Sequence, residues 1–494
     1  MGFVNPQRNR IFVLIIAVLM FWVIQQMPST QLIAEEIESS STDNLKGIEE
    51  IQTDLSGKFK FVPALSVYEV YDDNIFFLEE ERIDDFITII SPSAVLTYET
   101  PKARVSASYM SGYELFYEYP ELNTTENQNA SVNLSLRPTK RIGVDVTDSM
   151  AFYSGTLSRG YGSRGGGIGY FGYYGIYRRE QDLMLSPEER RRNYIEMLAY
   201  PSDYWSNSVD ATVSYKVSES IDTRVGYFNR FFKYRERGPY RYALEDTTEQ
   251  GARAGLDYRY SIRDTFNLQY SYYRFSYTQE RDTDVHSISS GWTHRFSPTL
   301  SFSLSGGIMF ISGVYQGDAN EESEIGWQGS ANLTKSFRKG SATLGYTRSV
   351  SAYGGMGGTG VYQTCFLNID GRFTPRLDIG LTGSYSTYRP TVEGRGYYYQ
   401  ELEYYTMGFN LGYTFTRRLR GISSYFYTHQ SLEQTGEDLH YHQATLGLEY
   451  SITRWLSSNL LYTYSNYSFP LENIGDINIY NNRIMLGLSF TWQQ

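Results

Sequence analysis

Five histidines, one cysteine and a small group of arginines are the side chains through which this 494-residue chain could do chemistry. His440 and His442 stand two apart, so on a strand they would share a face. Two imidazoles do not make a zinc site, and a strand end is their expected place. Tyr71-Asp72-Asp73-Asn74 offers oxygens to a calcium ion. It lacks the glycine and the spaced acidic ligands of an EF-hand loop, and a polar turn is the simpler reading. Gly160–Gly169 has neither the GxxxxGKS/T pattern nor the strand–helix setting of a phosphate loop. No GxSxG elbow is present. Cys365 has no disulfide partner in the chain and reads as a small packed side chain.

The arginines are the sharper candidate. Arg178, Arg179, Arg190, Arg191 and Arg192 form a basic island in a chain of net charge −11, or −13 without the first 34 residues. In a pore they would line a constriction or contact an anionic solute or polysaccharide. On a solvated loop they would pair with lipopolysaccharide instead, and both readings stay open. An acidic chain without a concentrated basic tract is a poor nucleic-acid binder, so no such partner is expected. No catalytic set is recognisable, and neither cofactor nor metal is called for.

What must position these residues is a repeat. Phe296-Ser297-Pro298-Thr299-Leu300, Phe337-Arg338-Lys339-Gly340, Phe373-Thr374-Pro375-Arg376-Leu377, Phe415-Thr416-Arg417-Arg418-Leu419 and Ser451-Ile452-Thr453-Arg454-Trp455 recur about 36–42 residues apart. Between them apolar residues alternate with small or polar ones, as in Leu300, Phe302, Leu304, Gly306, Ile308 and Phe310 against Thr299, Ser301, Ser303 and Ser305. The last such run sets Ile484, Leu486, Leu488, Phe490 and Trp492 against Arg483, Gly487, Ser489 and Thr491. Period two places the two sets on opposite faces of a strand. Forty-seven tyrosines and 27 phenylalanines accompany a mean hydropathy of −0.43. That combination fits strands with one face in lipid and the other on a polar lumen.

Short turns are predicted near Pro101, Thr139, Glu219, Ile262, Pro298, Lys339, Pro375, Arg417 and Thr453. Ten hairpins joined by nine such turns make an all-β fold, a single closed antiparallel transmembrane β-barrel of about 20 strands with meander topology. Eighteen is the runner-up count, because the first hairpin is the least regular. Pro63 and Pro92 fit strand ends or bulges near the barrel seam. Aromatic clusters (Tyr113, Phe116, Tyr117 and Tyr119; Phe228, Phe231, Phe232 and Tyr234; Tyr272, Tyr273, Phe275 and Tyr277; Tyr397, Tyr398, Tyr399, Tyr404 and Tyr405) predict girdles at the water–lipid boundaries, with a sugar-binding ladder as the alternative.

Residues 1–34 have the basic, apolar and cleavage-region order of a secretory signal peptide, with an unbroken apolar run over Ile11–Ile24. Residues 35–56 read as an acidic periplasmic tail and 57–494 as the barrel. The exception to its regularity is a long extracellular loop, 154–204. Its first part is mostly glycine and tyrosine, and Ser186-Pro187-Glu188-Glu189 opens a short amphipathic helix in the second.

The run Phe61-Val62-Pro63-Ala64-Leu65-Ser66-Val67-Tyr68-Glu69-Val70-Tyr71-Asp72-Asp73-Asn74-Ile75-Phe76, with the repeated Phe-Ser/Thr-Pro-x-Leu turns, resembles the type 2 outer-membrane β-barrel porin family. The resemblance spans nearly all of the mature region and implies an outer-membrane component associated with exopolysaccharide production. The expected function is an outer-membrane pore or export channel for exopolysaccharide or small polar solutes. A non-conducting structural or adhesive barrel is the second reading, and a barrel hydrolase the third. Expected partners are outer-membrane lipid and lipopolysaccharide, the β-barrel assembly machinery, and polysaccharide or export-complex proteins.

Overall fold

The computed structural model describes residues 57–492 apart from 76–78, 80–81, 121–122, 154–203, 235–245, 279–281, 315–321, 353–358, 391–400, 433–436 and 472–474. The leader, the acidic tail, the long loop and its five arginines therefore lie outside the described residues. From Lys58 onward the chain is a compact unit of its own.

That unit is one 20-stranded sheet. Its strands are β1 (Lys58–Asp72), β2 (Asp85–Glu99), β3 (Ala103–Phe116), β4 (Thr124–Leu136), β5 (Ile142–Tyr153), β6 (Tyr204–Lys216) and β7 (Ile221–Tyr234). There follow β8 (Thr247–Arg259), β9 (Asp264–Tyr277), β10 (Asp282–Ser297), β11 (Leu300–Val314), β12 (Glu322–Phe337), β13 (Gly340–Ala352) and β14 (Thr359–Thr374). The last are β15 (Leu377–Pro390), β16 (Leu402–Thr414), β17 (Leu419–Leu432), β18 (Glu437–Ser451), β19 (Leu456–Leu471) and β20 (Gly475–Thr491). Each strand pairs antiparallel with the next, and β1 pairs with β20 from Ala64↔Thr491 to Asp72↔Arg483. Closure leaves no free sheet edge, the condition for backbone N–H and C=O groups to survive in hydrocarbon. Twenty tilted strands about 4.8 Å apart enclose a cylinder about 40 Å across.

All nine predicted turns fall between strands, and their chemistry explains the repeat. In eight of them a Ser or Thr hydroxyl (Thr100, Thr139, Ser218, Ser261, Ser297, Thr374, Thr416, Thr453) accepts a backbone N–H two or three residues on. In the two Phe-Ser/Thr-Pro turns the phenylalanine is a bulge residue. The β10–β11 register jumps from Arg295 to Ser297 and the β14–β15 register from Arg372 to Thr374. The bulge leaves Phe296 and Phe373 exposed at the turn rim, with Phe337, Phe415 and Trp455. Together they form an aromatic ring at the short-turn rim of the barrel.

The wall has two faces. Exposed apolar side chains such as Leu268, Ile288, Leu304, Ile308, Leu344, Leu446, Leu460 and Leu486 sit on every second residue and point outward. Between them Ser, Thr, Asn and Gly face the lumen, so the outer belt marks an outer-membrane protein. The predicted girdle is corrected on several residues: Phe116, Phe228 and Phe275 are buried and share the inward phase, as do Phe232, Tyr273 and Tyr277. Phe275 packs with Val285, Met309 and Ile311 on the inner wall of β9–β11. Phe116 joins Val70, Ile75, Ile87 and Ile89 inside β1–β3.

Contrary to the expectation of strand ends or bulges, both prolines lie within their strands, Pro63 in β1 and Pro92 in β2, where a neighbouring ladder ends or is interrupted. The β2–β3 register skips Ser91 and Pro92, and the carbonyl of Pro63 accepts the Trp492 N–H at 2.9 Å, just beyond the last β1–β20 pair. The ladder from β12 to β13 stops at Gly329↔Arg348. There the Arg348 side chain donates to the Trp327 carbonyl at 3.0 Å and lies over the Trp327 ring.

Candidate functional site: the inner wall

Alternation brings to one surface residues that are far apart in sequence. Across β3–β6 the inward positions are small: Ser108 stands opposite Ser131, Ser131 opposite Ser149, and Ser149 opposite Ser208. Beside them Asn129, Ala151 and Ser206 form a second row. With Met110 at one end and Phe232 at the other, they line a groove of about 780 Å³ in the wall. The hydroxyls bond one another, at 2.7 Å between Ser108 and Ser131. The opposite wall repeats the pattern in Ser305–Ser330 at 2.8 Å and Thr364–Ser386 at 2.9 Å. Such hydroxyls have lone pairs left to offer water or a hydroxyl-bearing solute.

The groove ends on charge. On the inner faces of β6–β8, Arg253 reaches Asp210 at 2.6 Å and Arg224 reaches Asp257 at 2.7 Å. Arg230 reaches Glu249 at 3.3 Å, and Arg259 reaches Asp222 at 3.6 Å. Four arginines thus face four carboxylates. Nearer the turn rim, Asp378 bridges Arg372 at 3.0 Å and Arg420 at 3.5 Å. The guanidinium groups of the β6–β8 strip are substantially exposed, so each pair contributes about 0–1 kcal/mol to stability. Their consequence is electrostatic: in each of the four pairs the charges compensate one another. Strand parity signalled it, since Arg224 and Arg230 differ by an even number, as do Glu249, Arg253, Asp257 and Arg259.

The residues singled out for chemistry are dispersed. All five histidines face outward, and each approaches a tyrosine or an aspartate. His286 meets Tyr270 at 2.8 Å, His294 meets Asp264 at 2.7 Å and His442 meets Tyr425 at 2.8 Å. His440 and His442 do lie at a strand end, on the long-loop side of β18. Cys365, expected to be packed, is exposed on β14, because its partner Tyr346 belongs to the outward set.

Tyr71-Asp72-Asp73-Asn74 is neither a calcium loop nor a plain polar turn. It joins the first strand to the last. The Asp72 carboxylate accepts from Arg483 Nε at 2.6 Å, from the Asn74 N–H at 3.0 Å and from the Asn481 side-chain amide. Asp73 accepts from the backbone and side-chain nitrogens of Asn482, each at 2.6 Å. Asn74 in turn donates to the Tyr480 carbonyl at 2.9 Å. Its oxygens are spent on closure.

No family model and no curated protein matches the chain. Among solved structures it is similar to the siderophore receptor PirA from Pseudomonas aeruginosa, at 10% identity over 88% of this chain and 80% of that one, TM-score 0.44. It is similar to the FrpB iron transporter (F5-1 variant) from Neisseria meningitidis, at 7% identity over 90% and 84%, TM-score 0.47. The copper transporter OprC follows, at 8% identity over 87% and 80%, TM-score 0.45. The resemblance to the type 2 porin family is thereby corrected. The similar solved structures are a siderophore receptor, an iron transporter and a copper transporter, and within the run Phe61–Phe76 the Asp72-Asp73-Asn74 stretch serves the β1–β20 seam. At these identities and TM-scores the likeness carries nothing about function, and the large closed β-barrel rests on the chain's own strand ladder.

Proposed function

We propose that the barrel is an outer-membrane conduit for small polar, hydroxyl-bearing solutes, with weak intrinsic charge selectivity. The observation that carries this reading is the inner wall, where hydroxyl and amide groups alternate with ion pairs that cancel one another. A wall of that kind hydrates and exchanges hydrogen bonds with a passing solute without holding it through a net field. Its residues need no covalent step. The five histidines stand on the outer wall beside tyrosines and aspartates, so among the described residues none of them faces the lumen.

The connection 154–204 enters the proposal as the source of selectivity. Because the lumen strip is self-compensated, Arg178, Arg179 and Arg190–Arg192 would set the sign of the field at the long-loop mouth. The test is conductance of the purified full chain in planar bilayers, together with swelling of proteoliposomes in neutral sugars of increasing size. Discrete channels and sugar-driven swelling are expected. Replacing Arg190–Arg192 by glutamine should move the reversal potential in a salt gradient toward cations. A barrel that stays sealed to both ions and sugars at all voltages overturns the proposal in favour of a structural barrel, a reading to which the apolar inner clusters around Phe275 and Phe116 lend support.

A further inference from the structure

The outer wall carries a site of a different kind at its long-loop rim. In the β17–β18 hairpin His429 is directly opposite His440, and Asp438 lies two residues before His440 on the same face. One ligand atom from each of the three lies within 4.8 Å of the other two. We propose that His429, Asp438 and His440 bind a divalent transition-metal ion of the zinc class, which ties β17 to β18 across the outer wall.

Three observations converge on this. His429 Nε2 is buried without a hydrogen bond, although it stands 3.3 Å from Asp438 Oδ1. A buried nitrogen facing a carboxylate at an angle unsuited to hydrogen bonding is what a missing cation between them would leave. Next, His440 Nδ1 is 3.0 Å from the Tyr427 hydroxyl. That contact is the kind of outer partner that fixes a ligand imidazole in the tautomer with its Nε2 lone pair free. Finally, the two imidazole rings lie parallel, 4.6 Å apart with 10° between their planes. That stack holds the two imidazoles side by side on one face, within reach of a single ion.

Zinc–nitrogen bonds of ~2.0–2.1 Å require the two rings to turn out of their parallel stack so that their in-plane lone pairs converge on one ion. Two nitrogens and one carboxylate oxygen select zinc, copper or nickel over calcium and magnesium, which want oxygen alone. Three protein ligands leave a fourth position for water or an external donor. His442, next along the same face, lies outside the cluster of three.

The test uses the full chain in detergent, stripped with a chelator and titrated calorimetrically with zinc, then with magnesium and calcium as competitors. One saturable zinc site is expected, unaffected by either competitor and by the remote change His286→Ala. The double variant His429→Ala/His440→Ala should abolish it, and Tyr427→Phe should weaken it by about tenfold or more as an outer partner. Protection of His429 and His440 in the native chain from diethyl pyrocarbonate by zinc is a second readout that needs no variant. Absence of saturable binding, undiminished binding in the double variant, or modification indifferent to zinc would each overturn the proposal and leave an aromatic-histidine patch at the membrane boundary.

Discussion

Replacing Asp72 by alanine removes a carboxylate that is fully buried at the β1–β20 seam, where Arg483 is only 15% exposed. The change strips a 2.6 Å ion-pair hydrogen bond from the guanidinium and takes an acceptor from the Asn74 N–H and the Asn481 amide. Breaking one side of a buried pair costs about 3–5 kcal/mol, because the surviving charge has no water to return to. Asp72→Ala is expected at the upper end of that range. Asp72→Asn, which keeps an acceptor and loses the charge, should cost about 1.5–3 kcal/mol. The assay is urea unfolding in lipid vesicles followed by tryptophan fluorescence, with the heat-dependent gel shift of folded barrels as a check. A double-mutant cycle with Arg483→Met should return a coupling of about 2 kcal/mol or more, since the two side chains touch. As a contrast, Glu249→Gln, whose partner Arg230 is 52% exposed, should change stability by less than about 1 kcal/mol. An Asp72→Ala cost below about 1 kcal/mol, or strict additivity in the cycle, would refute the reasoning: the backbone ladder would then close the barrel unaided.

Gly487 lies opposite Tyr68 in the same seam, and a Cβ there would run into the Tyr68 ring and the Asn459 side chain. Gly487→Val should therefore abolish the heat-dependent gel shift, whereas Gly306→Ala, which meets nothing within 4 Å, should leave it intact. Replacing Arg230 and Arg253 together by glutamine leaves Glu249 and Asp210 uncompensated in the lumen. Reversal potentials should shift toward cation preference, while each change alters the unfolding free energy by no more than about 1 kcal/mol. Thr453→Ala removes the hydroxyl that accepts the Leu456 N–H at 3.1 Å, and Thr416→Ala does the same at Leu419. Each should lower stability by about 1 kcal/mol in urea unfolding without altering conductance.

Much of the architecture was legible in the chain itself because barrels are built from local rules. A two-residue side-chain period and a turn every second strand are properties of neighbours in sequence, so nine turns, ten hairpins and 20 strands could be counted before any contact was known. The aromatic clusters were located correctly but assigned to one face. Counting in twos from the outward Leu268 and Tyr270 would have placed Phe275 inside, and from Tyr227 it would have placed Phe228 inside. Hairpin symmetry carried a similar signal for His429 and His440, which stand equally far from the middle of their connection.

What the sequence by itself determined is the alternation, the turn chemistry and hence the antiparallel meander. Only the tertiary structure decided what happens at closure. Asp72 and Arg483 are 411 residues apart, and nothing local pairs them; the register of the first strand on the last does. An ion pair there depends on burial and on a 2.6 Å approach, quantities that exist once the sheet has curled round to meet itself. The same holds for the four arginine–carboxylate pairs of the inner wall, which form only because β6, β7 and β8 lie side by side with those residues turned to one face.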